Sequence, residues 1–291
     1  MRVDRVTIPV SPIRPSCHPR LRHRWLNLLL HTSILKSVRQ IVQRILSRFG
    51  YQIVYYGKGN AAPLDPLNAF LTALRGLGFN PKHIIDVGAN RGVWTRTVSR
   101  YFPTAHYTLM EPQIRFRNRV KDIEQAGISI TWLHAGAGDK HGRLMLHVPT
   151  CDTSASFVPI TESADGKVID RLEVDILPLD DVVARSPHPM PDLVKIDAEG
   201  FDIRVIEGAK SLHGKTEVFM VEVAVFDRKA ENTLLNTISI MDRIGYAPLD
   251  ITDMNRCAKS GVLWLIEVPF LRKDSALWAR IPPYLASFRP D

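Results

Sequence analysis

Residues 191 to 200 read PDLVKIDAEG: an apolar run that acquires Lys195, Asp197 and Glu199 before it stops at a glycine. A second apolar run, VFMVEVAV, carries Glu222. Carboxylates where a buried strand emerges suit one task well, accepting the proton of a weakly acidic hydroxyl while a bond forms to its oxygen. Asp197 or Glu199 is expected to contact an acceptor, one of them as the base. By strand alternation Lys195 and Asp197 point to the same side, so Lys195 either keeps a carboxylate ionised or orients the acceptor. The competing structural reading is that Asp197 and Glu199 cap a helix starting near Phe201, and for Asp202 capping is the preferred account. Glu222 reads equally as a site carboxylate or as a structural partner for Lys195. Three carboxylates on neighbouring strands do not define a metal site, and none is assigned.

Upstream, Asp86 to Gly92 reads DVGANRG. Gly88 permits a tight turn and close backbone approach, Asn90 tolerates an unusual backbone angle or caps the next helix, and Gly92 lets that helix pack closely. Such a turn after a strand fits a nucleotide-like ligand, and two cofactors compete for it. Dinucleotides want G-x-G-x-x-G for their pyrophosphate, whereas here Asn90 stands at the second glycine of that pattern. S-adenosylmethionine has no pyrophosphate and needs an acidic group for its ribose hydroxyls. Glu111, ending the next strand, can supply that group, and Asp86 can hold the cofactor's ammonium directly or through water. The small-residue turn AGAGD places Asp139 where it can border the adenine. S-adenosyl-L-methionine is therefore the preferred cofactor, with a nicotinamide as the alternative.

These residues need a scaffold that brings strand ends together. Strand-like runs at His83–Val87, His106–Met110, Ile128–His134, Asp192–Asp197 and Glu217–Val225 alternate with helical patterns at Val93–Tyr101, Ile114–Ala126, Ile203–Ala209 and Glu231–Gly245. The alternation predicts an α/β fold with a doubly wound, mostly parallel sheet. Arg143–Val148 and Leu172–Ile176 read as inserted hairpin arms around a polar loop, and Tyr246–Ile251 with Gly261–Val268 as a closing antiparallel pair. In such sheets ligands bind beyond the strands' carboxyl ends, where strand order reverses. In the polar loop, Thr153, Ser154 and Ser156 either bind acceptor or cofactor or are merely solvated. His134 reads as a hydrogen-bonded core imidazole in preference to a proton acceptor, and Trp94, Phe116 and Trp132 as core in preference to adenine platforms. Asp180 and Asp181 are expected to start a short helix.

DVGANRGVWT, MEP, LPLDDVV, DLVKIDAEGFDIRVIEGA and VEV stand in an order and spacing that resembles the FkbM family of S-adenosylmethionine-dependent methyltransferases, over about residues 82 to 250. The resemblance implies a seven-stranded Rossmann-like methyltransferase sheet and O-methylation. Sugar hydroxyls in glycolipids, polysaccharides or glycosylated natural products are common acceptors, and non-sugar hydroxyls are also modified. It also places a serine-rich loop near Thr153 to Ser156. Beside this reading stand two others: an enzyme using a nicotinamide cofactor, and a non-catalytic glycan-binding protein of the same fold.

The chain has 291 residues and a net charge of +8, yet the charge is not spread evenly. Residues 1 to 50 hold ten Lys or Arg against the single Asp4, which leaves the rest close to neutral. A general nucleic-acid surface is disfavoured by that distribution. Residues 1–23, with four prolines among arginines, are expected to be disordered. Residues 24–60 are expected to form a basic amphipathic helix and linker, and 61–291 the methyltransferase domain. The helix is expected to dock on its own domain or on a second subunit, giving a homo-oligomer. Peripheral contact with an anionic membrane face is its alternative role. Cys17, Cys151 and Cys257 have neither zinc spacing nor an even count, which favours a reducing, cytoplasmic setting, at most peripheral to the inner face of a membrane.

Overall fold

The computed structural model describes residues 65–150, 155–158, 168–226, 231–257 and 260–281. The expectations for residues 1–23 and 24–60, and for Thr153 and Ser154, lie outside them. Pro63–Asp291 forms one compact unit.

Asp65 and Pro66 open the first helix, α1 (Pro66–Gly76): the aspartate side chain accepts from Asn68 N, and proline occupies the first turn. This helix buries Phe70, Leu71 and Leu74 and is absent from the sequence reading. The chain then alternates through β1 (His83–Val87), α2 (Val93–Val98), β2 (His106–Met110), a 3₁₀ helix (Ile114–Val120), α3 (Lys121–Gln125), β3 (Ser129–Leu133) and β4 (Gly136–Ala137). There follow β5 (Gly142–Pro149), β6 (Val168–Leu177), α4 (Leu179–Ala184), β7 (Leu193–Ile196), α5 (Asp202–Glu207), β8 (Val218–Ala224), α6 (Leu234–Arg243), β9 (Tyr246–Pro248), β10 (Asp253–Arg256) and β11 (Leu263–Arg272).

The main sheet runs β10-β11-β8-β7-β1-β2-β3, with β9 paired to β11, so it has eight strands where seven were expected. β8, β7, β1, β2 and β3 are parallel; β11 runs against β8, β9 and β10. The expected closing pair is β9 and β11, and the extra strand is β10. Its sequence, DMNR, has no apolar alternation to announce it. β5 and β6 form the expected antiparallel arms, joined by the two-residue β4 into a separate three-stranded sheet.

The single helix expected over Ile114–Ala126 is instead a 3₁₀ turn followed by α3. Gln113 N is tied to the Glu111 side chain, and Phe116 N then bonds Gln113 O in the tighter three-residue pattern. One sheet face packs Ile85, Val194, Ile196, Phe219 and Val221 against Ile203, Ile206 and Met241 of α5 and α6. The other packs Ile84, Leu109, Leu193 and Met220 against Phe70, Leu71 and Leu74 of α1 and Val98 of α2. Each such buried side chain stabilises the fold by about 1.5–3 kcal/mol. From β1 the chain proceeds to β2 and β3 on one side, and later fills β7 and β8 on the other. Order therefore reverses between β1 and β7, the place where a crevice opens beyond the strand ends.

Candidate active site

The register across the switch point sets the site. Asp86 lies opposite Lys195 on β7 and Leu109 on β2; Lys195 lies opposite Met220 on β8; and Glu222, two residues on, lies opposite Glu267 on β11. Because side chains alternate, Asp86, Glu111, Lys195, Asp197, Glu222 and Glu267 share one face of the sheet. One lysine thus stands among five carboxylates.

Lys195 is 5% exposed. Its Nζ donates to Asp197 Oδ2 at 3.0 Å and stands 3.6 Å from Asp86 Oδ1. Burial opposes its charge, but Asp197, Asp86 and Glu267 together outweigh that and hold its pKa well above the usual lysine range. The ammonium is therefore permanent at physiological pH. Glu267 was not singled out from the sequence. It is buried, accepts from Thr252 Oγ1, and has its pKa pushed up to about 7 by burial, with Lys195 pulling the other way. Glu222 is raised well above 4.5, by burial first and then by the negative charges of Asp197, Glu199 and Asp202.

The turn after β1 has Gly88, Asn90 and Gly92 all at positive φ, 74°, 47° and 71°. Gly88 N and Ala89 N bond Met110 O, which fastens the turn to the end of β2. A Cβ at Gly88 would sit 1.9 Å from the Asp197 carbonyl oxygen, so the close approach this glycine permits is that of the β7 exit loop. A Cβ at Gly92 would meet Val120 at 2.7 Å, so that glycine admits the 3₁₀ helix. Asn90 adopts the unusual backbone angle and does not cap α2: its Oδ1 accepts from Arg91 N, and the cap position is Gly92.

Glu111 closes this turn. Its Oε2 accepts from Asn90 N and its Oε1 from Gln113 N, both at 2.8 Å, while burial lifts its pKa to about 7. Each oxygen keeps a lone pair, the acceptor capacity that a vicinal diol requires. Asp86 is fully buried; Thr95 Oγ1 donates to its Oδ2, while Oδ1 has no hydrogen-bond partner. Burial raises its pKa, against Lys195 and Thr95. Direct contact between Asp86 and a ligand in the crevice is therefore not available. Asp139 lies past β4, 3.9 Å from Arg204 of α5.

The exit loop of β7 is held by residues assigned other duties. Glu199 and Gly200 take φ of 50° and 93°. Asp202 does not cap α5 in the expected way. It is the first helical residue, and its carboxylate reaches back to accept from Ala198 N and Gly200 N and from Asn232 Nδ2. Ser156 donates its Oγ to Glu199 O at 2.6 Å, and Phe157 lies 5.6 Å from Phe201 between ring centroids. The hairpin loop is thus fastened to the site through Ser156.

His134 is hydrogen-bonded, to Pro112 O, but is exposed and not a core imidazole, because β3 ends at Leu133. Phe116 is buried, and Trp94 and Trp132 pack partly buried against the core that holds Val98, Val120 and Ile123. Asp180 and Asp181 stand in the first turn of α4, with Asp180 accepting from Ser211.

The sequence pattern of the methyltransferase FkbM domain matches residues 86–248, more than half of the chain. The protein belongs to this methyltransferase family. No curated protein matches the chain in sequence. Among solved structures it is similar to an rRNA methylase from Streptococcus thermophilus, at 10% identity and a TM-score of 0.44, over 73% of this chain and 99% of that one. It is similar also to precorrin-6y C5,15-methyltransferase from Geobacter metallireducens, at 13% identity and a TM-score of 0.39, over 75% and 93%. A third is the 1,6-didemethyltoxoflavin-N1-methyltransferase of Burkholderia thailandensis with bound S-adenosylhomocysteine, at 14% identity and a TM-score of 0.38, over 91% and 94%.

Proposed function

We propose that the protein is an S-adenosylmethionine-dependent O-methyltransferase and that Asp197 takes the acceptor's proton. The observation that carries this reading is the ion pair at the switch point: a half-buried carboxylate at the β7 exit, fixed at 3.0 Å by a lysine that stays charged. When bound, the cofactor supplies an electrophilic methyl group on sulfur with a good leaving group, so positioning and proton removal are what the chain must add. Glu111 is suited to the ribose hydroxyls through its remaining lone pairs. Asp86, buried beneath the turn with Oδ1 3.6 Å from Lys195 Nζ, would favour the cofactor's ammonium through its charge and not by contact.

As the acceptor oxygen gains the methyl group it loses its proton to Asp197. Lys195 holds that carboxylate in place and compensates the neighbouring negative charge of Asp86. Glu199 and Glu222 add further oxygen acceptors around the same loop. A crevice lined by carboxylates suits an acceptor with several hydroxyl donors, which favours a sugar in a glycolipid, polysaccharide or glycosylated natural product over a hydroxyl on an apolar small molecule. The dispersed cysteines favour a cytoplasmic setting.

The test is Asp197→Asn, scored by transfer of labelled methyl groups to carbohydrate extracts and by calorimetric titration with S-adenosylhomocysteine. Loss of the base is expected to lower transfer by about 10²–10⁴-fold, with cofactor affinity unchanged. A variant that methylates at the normal rate would remove Asp197 from the mechanism. If neither the variant nor the wild type transfers methyl while both bind the cofactor, the non-catalytic reading stands.

A further inference from the structure

The rim beyond the cofactor turn carries a feature that methyl transfer does not use. Between Arg91 and Lys121 the chain places seven Lys or Arg against one acid, the buried Glu111. Among the described residues, Arg96 pairs with Asp122 and Arg117 with Glu124, each at 2.7 Å. Arg91, Arg115, Arg119 and Lys121 are exposed on the same rim. Contacts on both sides of the turn make the surface continuous. Gly92 abuts Val120, Arg96 donates to Arg119 O, and the guanidinium groups of Arg91 and Arg115 lie over the one Phe116 ring, at 5.6 and 4.9 Å from its centroid. Among these cations two apolar side chains stand out into solvent: Val93, 68% exposed, and Ile114, 56% exposed.

We propose that this face docks on an anionic lipid surface, with the arginines and Lys121 among the head groups and Val93 and Ile114 entering the boundary with the acyl chains. Cations attract the acidic surface at a distance of a few ångströms, and apolar side chains at the tips add burial that charge alone does not supply. That combination distinguishes lipid from nucleic acid. A single-stranded RNA face would offer open rings for stacking, and Phe116 is buried beneath its arginines. Docking here sets the carboxyl edge of the sheet, with its crevice, beside the lipid head groups. The inference does not depend on the proposed acceptor or base.

The experiment is sedimentation of the full chain with phosphatidylcholine vesicles with and without phosphatidylglycerol, across a range of salt. The wild type is expected to bind only the anionic vesicles, more weakly as salt rises. Arg119→Glu with Lys121→Glu is expected to weaken binding at least about tenfold, and Ile114→Ser is expected to weaken the salt-resistant part, all with melting curves like the wild type. Three results overturn the proposal: no binding to anionic vesicles, vesicle binding untouched by these substitutions, which assigns it to the basic residues 1–50, or capture of an oligoribonucleotide in place of vesicles.

Discussion

Replacing Lys195 with Met removes the one cation that the described residues place on the carboxylate face and leaves a side chain of similar length. The two closest charges, 3.0 and 3.6 Å away, each attract the ammonium by about 5 kcal/mol at an effective dielectric constant of about 20. Most of that offsets the cost of burying the charges, and breaking a buried pair from one side typically leaves a deficit of about 3–5 kcal/mol. The deficit has a pH signature. Asp86 already has a raised pKa, with Lys195 the chief force holding it down, and Lys195 pulls Glu267 down in the same way. Without the lysine both pKa values rise further in the folded protein. A carboxyl whose folded pKa is raised destabilises the fold once it must ionise, and the penalty vanishes below its unfolded pKa near 4. The variant is therefore expected to be about 3–5 kcal/mol less stable than the wild type at alkaline pH, with the gap closing towards about pH 5. Urea unfolding at both ends of that range measures it. A gap that is the same at both pH values would show that Lys195 stabilises by packing alone, and the electrostatic account of the site would fail.

Two further predictions separate charge from shape. Glu267→Gln removes a group that titrates near 7 when folded and near 4.5 when unfolded, so wild-type stability should fall more steeply than the variant's as pH rises between those values, by up to about 3 kcal/mol. Equal slopes in urea unfolding across the range would contradict this. Gly88→Ala places a methyl group 1.9 Å from the Asp197 carbonyl at a φ of 74°, and is expected to cost at least about 2 kcal/mol and to weaken methyl transfer by displacing the β7 exit. A melting temperature like the wild type's would mean the two loops are not so tightly apposed.

Where the sequence was readable, the reason was local. β1 and β2 have the expected bounds because each is a short apolar run stopped by turn chemistry, and a switch point follows from the alternation of strands and helices. Glu267 was not readable, since WLIEVPF looks like any buried strand. Only the register that sets it opposite Glu222 reveals it as a member of the charged face. Asp202 was misread because a carboxylate at a helix start ordinarily serves its own helix, whereas here the chain doubles back and presents Ala198 N and Gly200 N to it. The start of α1 carries a local signal of its own, an aspartate that caps the helix and a proline in its first turn.

The loop from Asp197 to Asp202 is governed by two devices that act on different properties. Its shape comes from Asp202, Asn232 and Ser156, which hold Glu199 and Gly200 at positive φ through hydrogen bonds to backbone groups. Its charge comes from Lys195, which reaches Asp197 from within the sheet and touches none of those backbone groups. Loss of Ser156 or Asn232 should therefore loosen the geometry around the acceptor and leave the pH dependence of the reaction in place, whereas loss of Lys195 should shift that dependence. The spacing of Lys195, Asp197, Gly200 and Asp202 follows from this arrangement. Two residues on from the lysine the strand delivers Asp197 to the same face, and by Gly200 the chain must already have turned far enough for Asp202 to reach back.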